Sequence, residues 1–302
     1  MIDSNSQGSQ GSQGSQGSQG SQGSQGAQGG GSGGASYLPI SGRLGQPRAE
    51  GASPWPTDMD ALPLKYVDIP LPILKATGFS MADMGAWHPV WYAQTVLADF
   101  AATGWPGLSR TQLPPPDNSD AAIRREIAQL LYLAGAVRPR RLNEIVAQSY
   151  DIRPYFNAIL GASLTGTPMA CALIETGLAV GQMVVMHFKH MFNRQRPFQV
   201  YPALLPAIPT PPHPAYPNGH ALQSGLIAES LALLVPAMAA PLRSLAQRIG
   251  ENREVAGVHF PSDREVSEKL VPLTMAALDQ SAKFRDLVVR ARAEFPAFQT
   301  AG

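Results

Sequence analysis

A chain of 302 residues with 23 basic and 22 acidic side chains, scattered rather than run together, has a formal net charge of +1 and no electrostatic footprint for nucleic acid or an anionic membrane surface. A single cysteine, Cys171, excludes an internal disulfide, and no Cys/His set has zinc spacing, so no metal cation is expected. Met1-Ile-Asp-Ser-Asn runs into Gly/Ser/Gln repeats without a basic n-region or an apolar h-region, so a cytoplasmic location is the default expectation.

From Gly8 to Gly26 glycine recurs at every third position in Gly-Ser-Gln units, and without proline this composition reads as a disordered tail over residues 1–35. Residues 36–80, with Tyr37, Pro39, Pro54, Trp55, Pro56 and Pro63, read as an extended arm. The remainder, 81–302, is expected to be a single all-α helical bundle, because no alternating strand pattern occurs.

Trp87, Trp91 and Phe100 begin a helical pattern that runs to about Ala102. Pro114-Pro-Pro116-Asp-Asn-Ser119 breaks it, and Asp120 to Ala136 and Pro139 to about Gln148 follow as helices. Tyr150 to Gly166 reads as another, with Pro168 in the first turn of the next. That helix is expected from about Met169 to Gln195, apolar nearly all round until its polar end. Eight prolines between Pro197 and Pro217 predict a long ordered loop. Asn218-Gly219 opens a helix through His220 to about Leu234, and further helices are expected from Pro241 to Val258 and from Ser262 to Arg292, where Ser262 and Glu265 have capping-box spacing. Glu175 and Gln182 interrupt the apolar run Met169 to Met186, and Gln223, Glu229 and Pro236 interrupt Ala221 to Leu242. Both read as buried core helices, with no transmembrane segment.

Three constellations carry chemistry. Lys189 and Arg196, two helical turns apart before Pro197, present either solvated charge or the two sides of an anion site. Pro217-Asn218-Gly219-His220 is either an ordinary helix start or a place where backbone N–H groups meet an anion beside a proton donor. Arg253, His259 and Asp263 form either a helix junction or an oxyanion-binding cation, an imidazole and the carboxylate that orients it. His187 and His190 flank Lys189; packing or exposure accounts for them, with pocket lining as the alternative.

Lys189-x6-Arg196-Pro197, then Pro217-Asn218-Gly219-His220, then Arg253-x5-His259-x3-Asp263 resembles, in order and spacing, the tripartite signature of the superfamily joining type 2 phosphatidic acid phosphatases, bacterial non-specific acid phosphatases and vanadium-dependent haloperoxidases. Asn218 and Asn252 stand where that signature usually has serine. The resemblance implies a helical bundle in which Lys189, Arg196 and Arg253, with the Gly219 amide and Asn218, bind the oxygens of phosphate or vanadate. It implies His259 as nucleophile or vanadate ligand, Asp263 as its orienting partner and His220 as general acid. His213, in Pro-Pro-His-Pro before the histidine motif, resembles haloperoxidase-like members and is a candidate pocket residue together with His190.

The first expectation is therefore a phosphatase acting on a small phosphorylated substrate through phosphohistidine, with no cofactor. The alternative is oxidation of halide by peroxide at bound vanadate. A third is an oxyanion-binding member that has lost turnover, for which Asn218 is the only support. The natural substrate and oligomeric state are not legible.

Overall fold

The computed structural model describes residues 87–107, 113–163 and 166–295. The tail and arm expected over 1–35 and 36–80 lie outside the described residues. Of residues 28–88, only Trp87 and His88 are described.

The described residues are all-α, without a strand among them. In chain order the helices are α1 (Pro89–Ala101), α2 (Asp120–Ala136), α3 (Arg138–Tyr150), α4 (Arg153–Leu160), α5 (Pro168–Phe192), a single turn α6 (Pro197–Val200), α7 (Gly219–Ala232), α8 (Ala239–Val255), α9 (Pro261–Leu278) and α10 (Ala282–Ala293). At the centre α5 packs on α1, α7 and α10, while α7 packs on α5, α8 and α9. Small residues permit this closeness: a Cβ at Gly177 would lie 2.7 Å from Ile227 Cγ1 and 3.1 Å from the Ile227 backbone nitrogen.

Local chemistry sets the ends. Ser119 caps α2 by accepting from the Ala122 N–H at 3.3 Å. Gly161, left-handed at φ 64°, stops α4 five residues short of the expected Gly166. The helix expected from Ser262 to Arg292 is two, because Ser281 caps a fresh start by accepting from the Phe284 N–H at 3.1 Å. The Pro-rich loop is less irregular than expected: Pro197 sits at the first position of α6, where its missing N–H costs nothing. At the α8–α9 turn Gly257 has φ 81°, and a side chain there would press on Arg138 and Leu204. Arg138 holds that turn by donating from Nε to the Val255 carbonyl at 2.8 Å.

The expectation of no transmembrane segment is corrected. The stretch Pro168–Val200 is long and apolar enough to cross a membrane, with a mean hydropathy of 1.7 over its 18-residue window, of which 67% is buried inside the protein. One carboxylate, Glu175, did not disqualify it as the sequence reading assumed, and that carboxylate is paired with Arg153 at 2.8 Å. A cytoplasmic location consequently no longer follows.

Candidate active site

Asn193 ends α5 by taking a left-handed backbone, φ 46°, a conformation asparagine adopts more readily than most residues. The expected continuation to Gln195 is thereby cut, and with it the argument that Lys189 and Arg196 share a helical face. Arg196 instead precedes α6, and it is the turn at Asn193 that brings it back over the bundle end.

Arg196, 2% exposed, is the hub. Its Nε donates to the His213 carbonyl at 2.9 Å and its Nη1 to the Val258 carbonyl at 2.7 Å. Nη1 also lies 2.9 Å from His259 Nε2, and Nη2 lies 3.0 Å from His213 Nδ1. A guanidinium only donates, so each of these ring nitrogens must be the unprotonated one. His259 therefore carries its proton on Nδ1, 3.0 Å from Asp263 Oδ2, and directs the lone pair of Nε2 toward the cations. Burial pushes the His259 ring well below its ordinary pKa, and the charges of Arg196 and Lys189 push it the same way, so it is neutral at physiological pH.

Asp263 is fully buried at the start of α9. There its Oδ2 also accepts from the Phe260 N–H at 2.9 Å, so it, and not the expected Ser262–Glu265 pair, serves the helix N-terminus. Lys189, with no exposure, donates to the Pro214 and Ala215 carbonyls at 2.6 and 2.8 Å and so ties the Pro-rich loop to α5. Burial and the Arg196 charge push the Lys189 ammonium well below its ordinary pKa, opposed by Asp263, and its charge acts on three of the six histidines, His213, His220 and His259.

Arg253 and His220 meet α3 at residues three apart on one face. Arg253 Nη2 donates to the Ile145 carbonyl at 2.9 Å, and His220 Nε2 donates to the Gln148 carbonyl at 3.1 Å, which leaves His220 Nδ1 as its open nitrogen. Arg253 is 1% exposed, yet its Nε and Nη1 have no hydrogen-bond partner. Burial lowers its pKa to about 10, so it stays a cation at neutral pH. Burial and the Arg253 charge lower His220 to about 3; burial, then Lys189 and Arg196, lower His213 to about 4.

Two expected residues stand differently. The Asn218 side chain is directed into the scaffold rather than at an oxyanion: Oδ1 accepts from the Ala221 N–H at 3.3 Å and Nδ2 donates to the Gly250 carbonyl at 3.3 Å. This cap needs an acceptor oxygen near the backbone, which Asn supplies as Ser would. His190 is exposed while neighbouring Lys189 is buried, so it does not join the cluster. Gly219 occupies the first turn of α7 beside Val185, where even an added Cβ would lie at 3.7 Å.

Sequence reading missed Arg194 and Glu126. Arg194 donates from Nη1 to Asp263 Oδ1 at 2.7 Å and from Nη2 to Glu126 Oε2 at 2.8 Å. Its place two residues before Arg196 was a local signal; nothing local marks Glu126, 68 residues away.

No family model matches the sequence, and no curated protein matches it. Among solved structures the chain is similar to the transmembrane PAP2-type phosphatidylglycerolphosphate phosphatase of Bacillus subtilis, at 16% identity and a TM-score of 0.41, covering 64% of this chain and 94% of that one. The functional reading rests on this chain's own residues.

Proposed function

We propose that this chain is a phosphatase of the superfamily its three motifs resemble, hydrolysing phosphoric monoesters through a phosphohistidine at His259 and needing no metal cation. One observation carries the reading. Lys189, Arg196 and Arg253 are 0%, 2% and 1% exposed, and none forms an ion pair with a carboxylate among the described residues. Buried cations without a direct ion pair are costly, even with Asp263 and Glu144 acting on them from farther away, and a doubly charged tetrahedral anion beside His259 would offset three of them together.

In the proposed reaction the ester phosphate displaces Arg196 Nη1 from His259 Nε2, and the guanidinium turns to a phosphoryl oxygen. Nε2 attacks phosphorus as the P–O bond to the leaving alcohol breaks, while Asp263 stabilises the charge developing on the ring. His220, neutral in the protein alone, gains its proton on Nδ1 as the dianion offsets Arg253, and passes it to the leaving oxygen. Water then attacks the phosphohistidine with His220 as base, which releases phosphate and restores His259.

A second reading, halide oxidation by peroxide at bound vanadate, is favoured by His213, which shares Arg196 with His259. One purified preparation decides: phosphate release from p-nitrophenyl phosphate, inhibited by vanadate, supports the first reading. Peroxide-dependent bromination after vanadate loading, without phosphate release, supports the second.

A further inference from the structure

The geometry points to Arg194 and Glu126 as positioning residues that act on His259 through Asp263, keeping its carboxylate ionised and the imidazole proton on Nδ1. This rests on the reading of His259 as the reacting group. The contacts cross three parts of the fold. Glu126, on α2, accepts from Arg194 Nη2 at 2.8 Å and, with its other oxygen, from the Ser262 N–H at 2.8 Å. Arg194, just after α5, donates from Nη1 to Asp263 Oδ1 and to Ser262 Oγ, both at 2.7 Å, and its guanidinium carbon lies 4.1 Å from the centre of the Phe260 ring. With Oδ1 taken by Arg194, the Asp263 carboxylate is left to present Oδ2 to His259. Both oxygens of both carboxylates are thus engaged, and Arg194, unlike Lys189, Arg196 and Arg253, is fully matched in charge. It belongs behind the oxyanion cradle, not in it.

The consequence is a proton position. Burial pushes the Asp263 carboxyl upward, and Arg194 heads the groups that oppose this. The other charged groups facing Asp263 are Lys189, Arg196 and Glu254, with Tyr216 the one phenol. A neutral Asp263 can donate to Nδ1 of His259, which moves the ring proton to Nε2 and removes the lone pair that attacks phosphorus. An ionised Asp263 can only accept.

The test is nitrogen-15 NMR of the His259 ring in the full chain, for wild type, Arg194→Met, Arg194→Lys and Glu126→Gln, together with kcat and KM against pH. Wild type should show one tautomer, protonated on Nδ1. Arg194→Met should show mixed tautomers, a kcat reduced about 10- to 100-fold with KM within about threefold, and an acid limb moved to higher pH. Arg194→Lys should partly restore all three, and Glu126→Gln, which removes the carboxylate that offsets Arg194, should shift the acid limb less and toward lower pH. An Arg194→Met protein with the wild-type tautomer and an unmoved acid limb overturns the proposal, whatever its thermal stability; if that variant does not fold, the same result in Glu126→Gln overturns it. A protein releasing no phosphate whose tautomer still responds to Arg194 would sink the phosphatase reading alone.

Discussion

His259 is constrained at both nitrogens, Nδ1 by Asp263 and Nε2 by Arg196, so the two partners have separable roles. Replacing His259 with Ala should abolish phosphate release, whereas Asp263→Asn should lower kcat about 10- to 100-fold and leave some turnover, both read from initial rates. Equal and minor losses would place the reaction elsewhere. Asn218 makes the opposite prediction. As a cap and not an anion ligand, Asn218→Ala should cost about 1–2 kcal/mol in denaturant unfolding with KM within about threefold, and Asn218→Ser should recover the stability. A large rise in KM with unchanged stability would restore its expected role. His220, lowered to about 3 in the protein alone, takes up a proton in the proposed reaction when the dianion binds beside it. Vanadate affinity should therefore weaken as pH rises through neutrality in wild type, and His220→Gln should flatten that dependence in isothermal titration.

At the scale of elements, the site depends on how α5 and α7 seat against each other, since Lys189 lies in the last turn of one and Asn218 caps the start of the other. Gly177 and Gly181 both sit where a Cβ would lie 2.7 Å from α7, against Ile227 and Gln223, so Gly177→Leu should destabilise the fold by about 1–3 kcal/mol and reduce activity with it, seen together in thermal melts and rates. Most helices were legible from apolar periodicity, as α2 was from its Ser119 cap. Boundaries decided by one backbone angle were not: Asn193, Gly161 and the Ser281 restart are single-residue events within patterns that continue past them. In the site, motif spacing named residues that do converge, but for a partly mistaken reason, because Arg196 arrives by the turn at Asn193 and not along a helix face. For Asn218 a cap and an anion donor use the same side chain, and its contacts to Ala221 and Gly250, which spacing does not reveal, are those of a cap. Glu126 was invisible because its partners lie far along the chain.

For the whole molecule, His213, His220 and His259 are held neutral, with folded pKa values of about 4, about 3 and well below the ordinary 6.5. The unfolded chain takes up protons at these sites first, so stability should fall as pH drops below about 6.5, by up to about 1.4 kcal/mol per pH unit for a fully buried ring. Glu254, raised by burial to about 7, acts in the opposite sense between its ordinary value and 7, as do Asp263 and Glu294, which burial also raises, so the fall is the net of the two groups. Melting temperatures from pH 7 to 5 should show the fall, and His213→Gln should lessen it; a flat profile would mean that the rings are solvated. Lys189, Arg196 and Arg253, buried and without an ion pair to a carboxylate among the described residues, are proposed to form one phosphoryl-transfer site with His259 Nε2, the nitrogen that Arg196 holds. The most direct test of this is mass spectrometry of protein quenched with alkali during turnover of a phosphomonoester. An acid-labile phosphoryl adduct is expected on the peptide bearing His259, absent in His259→Ala. Phosphate release that continues in His259→Ala with no adduct would contradict it.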